Sequence, residues 1–418
     1  MVLSFTFLKC WRSPQLLIPK QQYFWPSKTA LIIISFGILL SACQSATEKP
    51  TLSAHDHCVE EFDATVDYFP EKVEPYYAQG FTVEYHPNYK LVTVKQPWEE
   101  AAVDLNYVFV QCGTPAPTHY PEATIVEIPS QRVLAMSTTY LPHIEKLGQL
   151  HALVGVGDRR LIYSEVIREK IVAGAIQEVG DLQPDAEKVL NLQPDVILSY
   201  RLDDGENSRF ETLKSLEQTI VLDAAHLEST PLGRAEWLKF TALLFNQEAK
   251  ANQEFAAIAQ RYQELVNKTA TLTELPTAFS GSPFQGVWYM PAGKSYVAQF
   301  FRDAGADYLW QDSDSRLSLP LDYEAVLAKA KDADFWLNPN QDWRTKADLL
   351  REDRRYDLLK ASQTKQVYIA NARLNPEGGN DFWESGTTNP DIILADLIKI
   401  FHPELLPDHD LFYYRQLD

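Results

Sequence analysis

No apolar run in this chain of 418 residues reaches the roughly 20 residues that a membrane span needs. The nearest, Ala30–Leu40, has 11 and follows Lys20 and Lys28, the layout of a secretion-signal core. Positive charge is scarce as well: 38 Lys and Arg stand against 57 Asp and Glu, a formal charge of −19. Nucleic-acid binding, which relies on Lys and Arg against phosphate, is therefore excluded as a function class. Catalytic signatures are missing. There is no G-x-S-x-G, no H-E-x-x-H and no G-x-x-x-x-G-K-[ST], and Gly293-Lys294-Ser295 lacks the glycine-rich loop before it. No enzyme is expected. Histidines at 143, 151, 226, 402 and 409 are scattered without close pairing, so no site for a bare metal ion is expected either. His55, His57 and Cys58 in "HDHC" supply only three ligands in an unpatterned segment.

Only four cysteines are present, and one ends the apolar run. Leu40-Ser41-Ala42-Cys43 resembles the lipobox of bacterial lipoproteins, an aliphatic residue and two small ones before cysteine. That resemblance implies a diacylglycerol on the Cys43 thiol and cleavage after Ala42, the thiolate being the strong nucleophile among side chains at moderate pH. The alternative is an ordinary cleaved signal with an incidental cysteine. Residues 1–42 are read as the signal peptide, and their length before Lys28 leaves the start codon open. They carry Lys9, Arg12, Lys20 and Lys28 but no acid, so the remainder has 34 basic against 57 acidic residues, a charge of −23. Such a body suits a tether that holds it off an anionic membrane. Cys10 leaves with the signal, and Cys58 and Cys112 remain. An even pair in an exported chain points to a disulfide, worth about 4 kcal/mol in the chain-entropy model; two free thiols are the alternative.

Residues 43–61 are small and polar and read as the tether. Residues 62–127 form a β-rich extension: "FTVEYHPNYKLVTV" gives two alternating strands around Pro87-Asn88, and "NYVFVQC" a third ending at Cys112. From Ile128 the rhythm changes. "RVLAMS", "LVGVG", "DVILSY" and "TIVLD" read as strands between helical patterns, an N-lobe over 128–232. A second series over 269–418 has "GVWYMP", "DYLW", "DFWLNP" and "QVYIA" as strands, a C-lobe. Between them, 233–268 has no glycine or proline after Gly233, and apolar residues recur at three- and four-residue steps. This predicts one long helix of roughly 50 Å. The fold class expected is α/β, two βα lobes joined by one long α-helix behind a β-rich N-terminal extension.

A repeat supports the two lobes. "DAEKVLNLQPDVIL" from Asp185 aligns with "DYEAVLAKAKDADFWL" from Asp322, and Asp185/Asp322, Glu187/Glu324, Val189/Val326, Leu190/Leu327 and Asp195/Asp332 share an offset of 137. With "RVLAMSTTYLPHIEKLG", "NLQPDVILSY", "SYVAQFFRDAGADYLW" and "NPDIILADLIKIFHPELL", the chain from about Ile128 onward resembles the substrate-binding proteins of ABC importers for iron–siderophore and cobalamin-type ligands. The resemblance implies a monomer in the periplasm or on the cell surface, lipid-anchored and partnered by an ABC permease of the inner membrane. It also implies that Glu187 and Glu324 meet arginines of that permease. The plainer role for both is a first-turn glutamate favouring the helix dipole by about 0.3–1 kcal/mol.

Ligands of open α/β sheets sit beyond the carboxyl ends of strands. Reading past each strand gives Ser137, Thr138, Thr139, Tyr140, Arg159, Arg160, Tyr200 and Arg201 from the first lobe. The second gives Trp288, Tyr289, Trp310, Arg316, Asn338, Trp343, Asn371, Arg373 and Trp383. Aromatic faces bury flat surfaces and arginine forks bind anionic oxygens, so the expected ligand is a bulky ferric siderophore-type chelate. The metal would stay inside its chelator and no protein cofactor is expected. Cobalamin or haem is the alternative ligand of the same family.

Overall fold

The computed structural model describes residues 58–99, 101–181, 183–201 and 209–418. The signal peptide, Cys43 and the tether up to His57 lie outside the described residues. The extension forms a four-stranded sheet in the order β1 (Phe81–Tyr85), β2 (Tyr89–Val94), β3 (Leu105–Gln111) and β4 (Thr124–Ile128). Pro87 and Asn88 turn β1 into β2, and the register pairs Phe81 with Val94. Strand β4 runs parallel to β3. Cys58 is bonded to Cys112 with Cα atoms 4.7 Å apart, fastening the start of the described chain to the end of β3.

The N-lobe sheet is parallel, in the order β7 (Gln177–Glu178), β6 (Leu153–Val156), β5 (Val133–Ala135), β8 (Val196–Ser199) and β9 (Ile220–Leu222). Every residue of β5 and β8 is buried, as expected for central strands covered on both faces. Helices α1 (Leu141–Leu147), α2 (Glu165–Val172), α3 (Ala186–Leu192) and α4 (Arg209–Ser215) make the crossovers.

The stretch 233–268 is not one helix. Helix α5 (Pro231–Leu243) ends in a turn, and α6 (Glu248–Thr269) follows. Asn246 takes a left-handed φ of 53°, and the Gln247 amide donates to the Ala242 carbonyl, a closure typical of helix C-termini. Asparagine tolerates that conformation better than most residues, so the helix stops without glycine or proline. The two helices pack on each other. Leu232 and Ala235 of α5 join the C-lobe core, Trp237 and Phe240 the N-lobe core. Ala251 of α6 lies in the N-lobe core, Phe255, Ile258 and Tyr262 in the C-lobe core. A two-helix hairpin, rather than a single rod, therefore spans the lobes.

The C-lobe sheet runs β13 (Asp307–Tyr308), β10 (Thr277–Ser280), β15 (Phe335–Leu337), β16 (Val367–Ile369) and β17 (Arg415–Gln416), with only β17 antiparallel. "GVWYMP" is not in this sheet. It forms β12 (Val287–Met290), antiparallel to β11 (Pro283–Phe284) and β14 (Leu319–Leu321) in a separate three-stranded sheet. The parallel strand is the short β10 before it. Helices α7 (Tyr296–Asp303), α8 (Tyr323–Ala330), α9 (Lys346–Glu352), α10 (Lys360–Gln363) and α11 (Pro390–Phe401) complete the lobe.

The repeat is real at its helix starts and shifts afterwards. Asp185 and Asp322 each accept an N–H of the first turn, from Lys188 and Ala325. Asp195 accepts the Gln131 and Arg132 amides, both at 2.8 Å, and so ties β8 to the entry of β5. In the C-lobe the matching bond is made by Asp334, which accepts the Thr277 amide at 2.9 Å at the entry of β10. Asp332 is instead exposed beside Lys331. Helix α8 is one residue longer than α3 and its following turn one longer, so the offset of 137 becomes 139 at the strand.

The extension is part of the N-lobe core. Phe69, Phe81, Val92 and Phe109 pack with Val133, Trp237 and Phe240. Buried charges weld the same surface. Glu236 of α5 accepts the amides of Tyr76, Tyr77 and Ala78 at 2.6–2.9 Å and the Lys239 ammonium at 2.7 Å. Glu228 accepts those of Gln79 and Gly80 and the Trp237 indole N–H. Lys90 of β2, wholly buried, donates to the Leu243 carbonyl (2.9 Å) and to Asn246 Oδ1 (2.8 Å) and pairs with Glu248. One ammonium thus holds the last turn of α5, the bend and the first turn of α6.

Candidate functional site

Both parallel sheets reverse strand order beside their first strand, β5 next to β8 and β10 next to β15. Such switch points open crevices at the carboxyl ends of strands. In the N-lobe the crevice is real. A cavity of about 220 Å³ is lined by Ser137, Thr139 and Tyr140 after β5, Tyr200 after β8, and Asp223 and His226 after β9. Arg234 of α5 and Thr387 of the C-lobe close it. A second cavity of about 130 Å³ shares Ser137 and Tyr200 and adds Thr138, Asp158 and Asp181.

Each wall group has a local cause. Ser137 accepts the Thr139 amide and lies 2.9 Å from the Thr139 hydroxyl, capping a single 3-10 turn. Tyr200 meets the His226 ring edge to face at 6.0 Å. Burial, with Arg234 adding to it, pushes His226 down to about 4. Burial likewise pushes His143 down to about 3, and its Nδ1 lies 2.8 Å from the Thr241 hydroxyl. Both imidazoles are therefore neutral at pH 7. Asp223 is pushed up to about 7 by burial, against the Ala225 amide that it accepts at 2.8 Å and with Glu228 adding repulsion. Its Oδ2 has no partner. The Arg234 guanidinium donates to the His226 and Glu228 carbonyls and stacks on Tyr296 at 3.5 Å. Tyr107 of β3 accepts the Leu222 amide, so the extension also holds the strand end that carries Asp223.

A C-lobe loop fastens on the N-lobe beside the cavities. Asn375 Nδ2 donates to the Arg160 and Ile162 carbonyls at 2.9 and 2.7 Å. Glu384 accepts the Tyr163 and Ser164 amides at 2.6 and 2.9 Å, capping the entry of α2. Burial, the stronger influence, raises Glu384 to about 7 despite those two bonds. Gly379 fits only because it lacks a side chain: a Cβ there would stand 2.6 Å from the Arg160 and Leu161 carbonyls.

The structure brings Ser137, Thr138, Thr139, Tyr140 and Tyr200 to the cavities, and Trp383 to a small neighbouring pocket with Arg234, Tyr296 and Thr387. It does not bring the expected arginines to these cavities, although Arg159 lines a separate one of about 380 Å³ with Arg168 and Glu377. Arg159 pairs with Glu178 and Glu377, Arg160 grips Asp158, and Arg201 pairs with Glu211 over Trp98. Arg373 pairs with Asp381 and lies against the Tyr163 and Phe412 rings, at the lobe junction but committed. Arg316 is exposed on the loop before β14. Trp288, Trp310 and Trp343 are core residues, not cleft residues. Trp288 belongs to the antiparallel hairpin and donates to the Ser280 carbonyl, while Tyr289, its neighbour in β12, points outward. Asn338 bonds Tyr414 and the Ala370 amide, and Asn371 bonds Gln341 and Arg415. At the C-lobe switch point the ends of β10 and β15 are tied up by internal bonds, from Trp288 to the Ser280 carbonyl and from Trp336 to the Gly281 carbonyl. Glu187 and Glu324 are both exposed on first turns, Glu324 in contact with Arg355.

Asp223, His226, Arg234 and Thr387 were not anticipated. The first had a usable signal, since it is the last residue of "TIVLD" and directly follows β9. Arg234 and Thr387 had none, because helix orientation and the return of a distant loop put them there.

The family profile described as periplasmic binding protein matches residues 133–374. An uncharacterized lipoprotein of Methanocaldococcus jannaschii is 29% identical over 290 residues, covering 67% of each chain. Among solved structures, a possible iron-binding (periplasmic solute-binding) protein from Staphylococcus epidermidis superposes with TM-score 0.52 at 14% identity, over 65% of this chain and 98% of that one. An ABC-type Fe3+-hydroxamate transport protein from Saccharomonospora viridis gives TM-score 0.50 at 18% identity, over 66% and 94%.

Proposed function

Because the chain belongs to the periplasmic binding protein family, we propose that it is the lipid-anchored capture component of an ABC importer and takes a ferric siderophore-type chelate between its lobes. The observation that carries this reading is the convergence of three N-lobe strand ends, Arg234 of the hairpin and Thr387 of the C-lobe on one cavity. A binding site at a switch point between two lobes suits a carrier. With Arg159, Arg160, Arg201 and Arg373 each held by a carboxylate, the geometry favours a chelate of low net charge, such as a hydroxamate, over a polyanionic catecholate. The same fact supports a second reading, cobalamin, whose periphery is nearly uncharged.

A cavity of about 220 Å³ is smaller than the roughly 300–1,000 Å³ of drug-sized sites, so a bulky chelate enters by parting the lobes. The bonds of Asn375 and Glu384 are those that must release. The anchor is Cys43, and Glu187 and Glu324 meet the permease, setting register by charge. Tryptophan fluorescence tests the ligand: a neutral ferric trihydroxamate should quench at micromolar concentration and a ferric tricatecholate weakly. Quenching by cobalamin alone would select the second reading, and quenching by none would refute both. Glu187→Arg with Glu324→Arg should leave chelate affinity intact and abolish uptake by cells; a loss of affinity refutes the division of labour.

A further inference from the structure

The cavity wall contains one charged group that the protein itself leaves incompletely served. Asp223 is buried, with 3% of its surface exposed, and one of its oxygens accepts the Ala225 amide while Oδ2 has no partner. Buried carboxylate oxygens are normally paired, and an unpaired one is retained at a cost in stability. The guanidinium that lines the same cavity does not serve it. Arg234 is spent on the His226 and Glu228 carbonyls and on the Tyr296 ring. The two histidines of the cavity are held neutral, and Glu228, close by, adds negative field. Among the described residues, the adjoining cavity adds Asp158 and Asp181 and no basic side chain. Around Asp223 the cleft is therefore short of uncommitted positive charge, the opposite of an anion-binding site.

We propose that Asp223 is a specificity-determining residue that receives a hydrogen-bond donor of the ligand, above all an ammonium, so that the cargo is a chelate with a cationic or donor-bearing arm. The inference rests on the lobe junction being the ligand site. The carboxylate accepts, the ligand nitrogen donates, and the unpaired oxygen gains its partner only in the loaded protein. A neutral chelate without such an arm leaves Oδ2 as it stands in the empty protein. Discrimination then comes from a polar group left unserved, the strongest way for a pocket to reject a near-isostere.

The test uses a ferric trihydroxamate ending in a free primary amine and the same chelate N-acetylated at that amine, titrated by tryptophan fluorescence at pH 8. The wild-type protein should bind the amine form about tenfold more tightly, the order of a charge-assisted hydrogen bond. Asp223→Asn, which keeps the acceptor for the Ala225 amide, should bring the two affinities together. Equal binding by the wild type, or a preference that survives in Asp223→Asn, overturns the role of Asp223 and leaves the carrier reading standing. Failure of both chelates to bind overturns the two together. A ligand-free readout is independent of the probe: Asp223→Asn should melt at a higher temperature at pH 8, because it removes an unpaired buried charge. A lower melting temperature would make Asp223 a structural cap and overturn the proposal.

Discussion

Two junctions of the molecule differ in chemistry. Between the extension and the helical hairpin the contacts are buried ions: Lys90 against Glu248, and Glu236 with three backbone amides and Lys239. Between the N-lobe and the C-lobe they are an asparagine on two carbonyls, a glutamate on two amides, a glycine against backbone and the partly solvent-exposed ion pairs of Glu377 with Arg159 and Arg168. Separating the first junction exposes ions that were desolvated once, on folding, and strands whichever partner stays buried. Separating the second exchanges hydrogen bonds to backbone for hydrogen bonds to water, at little net cost per bond. The first junction resists separation more strongly than the second. That is the division a carrier needs, with hinge elements fixed and lobes free to part.

Removing one ion of the fixed junction is the severest way to break this contrast. Lys90→Met should lower stability by about 3–5 kcal/mol in urea unfolding, since Glu248 is left buried and alone. Lys90→Met with Glu248→Leu should recover most of that loss. A single-mutant cost below about 1 kcal/mol would mean that the weld does not hold the bend. At the opening junction, Gly379→Ala should cost about 1–3 kcal/mol through overpacking against the Arg160 and Leu161 carbonyls. Its signature is local: faster amide exchange at Tyr163 and Ser164, with Lys90 and its neighbours in β2 unchanged. Exchange that quickens equally on both sides would erase the distinction.

The gentlest probe is pH. Glu384 has a folded pKa of about 7, above its usual 4.5, so the native state holds more protons than the unfolded chain between those values. Stability from this group is fully present below about 4.5 and is lost as pH rises to about 7. Asp223, raised from 3.8 to about 7, acts with the same sign. Melting temperature should therefore fall across that window and fall less steeply in Glu384→Gln. An unchanged slope would place the titrating groups elsewhere.

How far the sequence could be read differs between these places. Ser137 and Tyr200 were legible because they follow buried parallel strands, where topology leaves ligands room. Trp288, Trp310 and Trp343 were misplaced by the same rule, because a tryptophan after or within a strand serves a core or a cleft equally well. The arginines were misread for another reason: acids neutralise them, near in sequence for Arg160, Arg201 and Arg373 (Asp158, Glu211 and Asp381) and distant for Arg159 (Glu377), and the strand-end rule takes no account of such pairing. The break in 233–268 hid in Asn246, whose left-handed conformation is stabilised by Lys90 and Gln111 from the extension. Lys90 itself sits in an alternating strand, "YKLVTV", where a lysine ordinarily faces solvent.

By itself the sequence determined the alternation of strands and helices, two lobes of like plan and the capping aspartates at 185 and 322. These are encoded in local periodicity and short-range hydrogen bonds, which a single segment carries within itself. Only the tertiary structure decided that the linker folds back on itself, that the extension is welded to it, and that Asp223 and Arg234 line one cavity. Each of those depends on which distant groups the fold brings together, and no local pattern records that arrival.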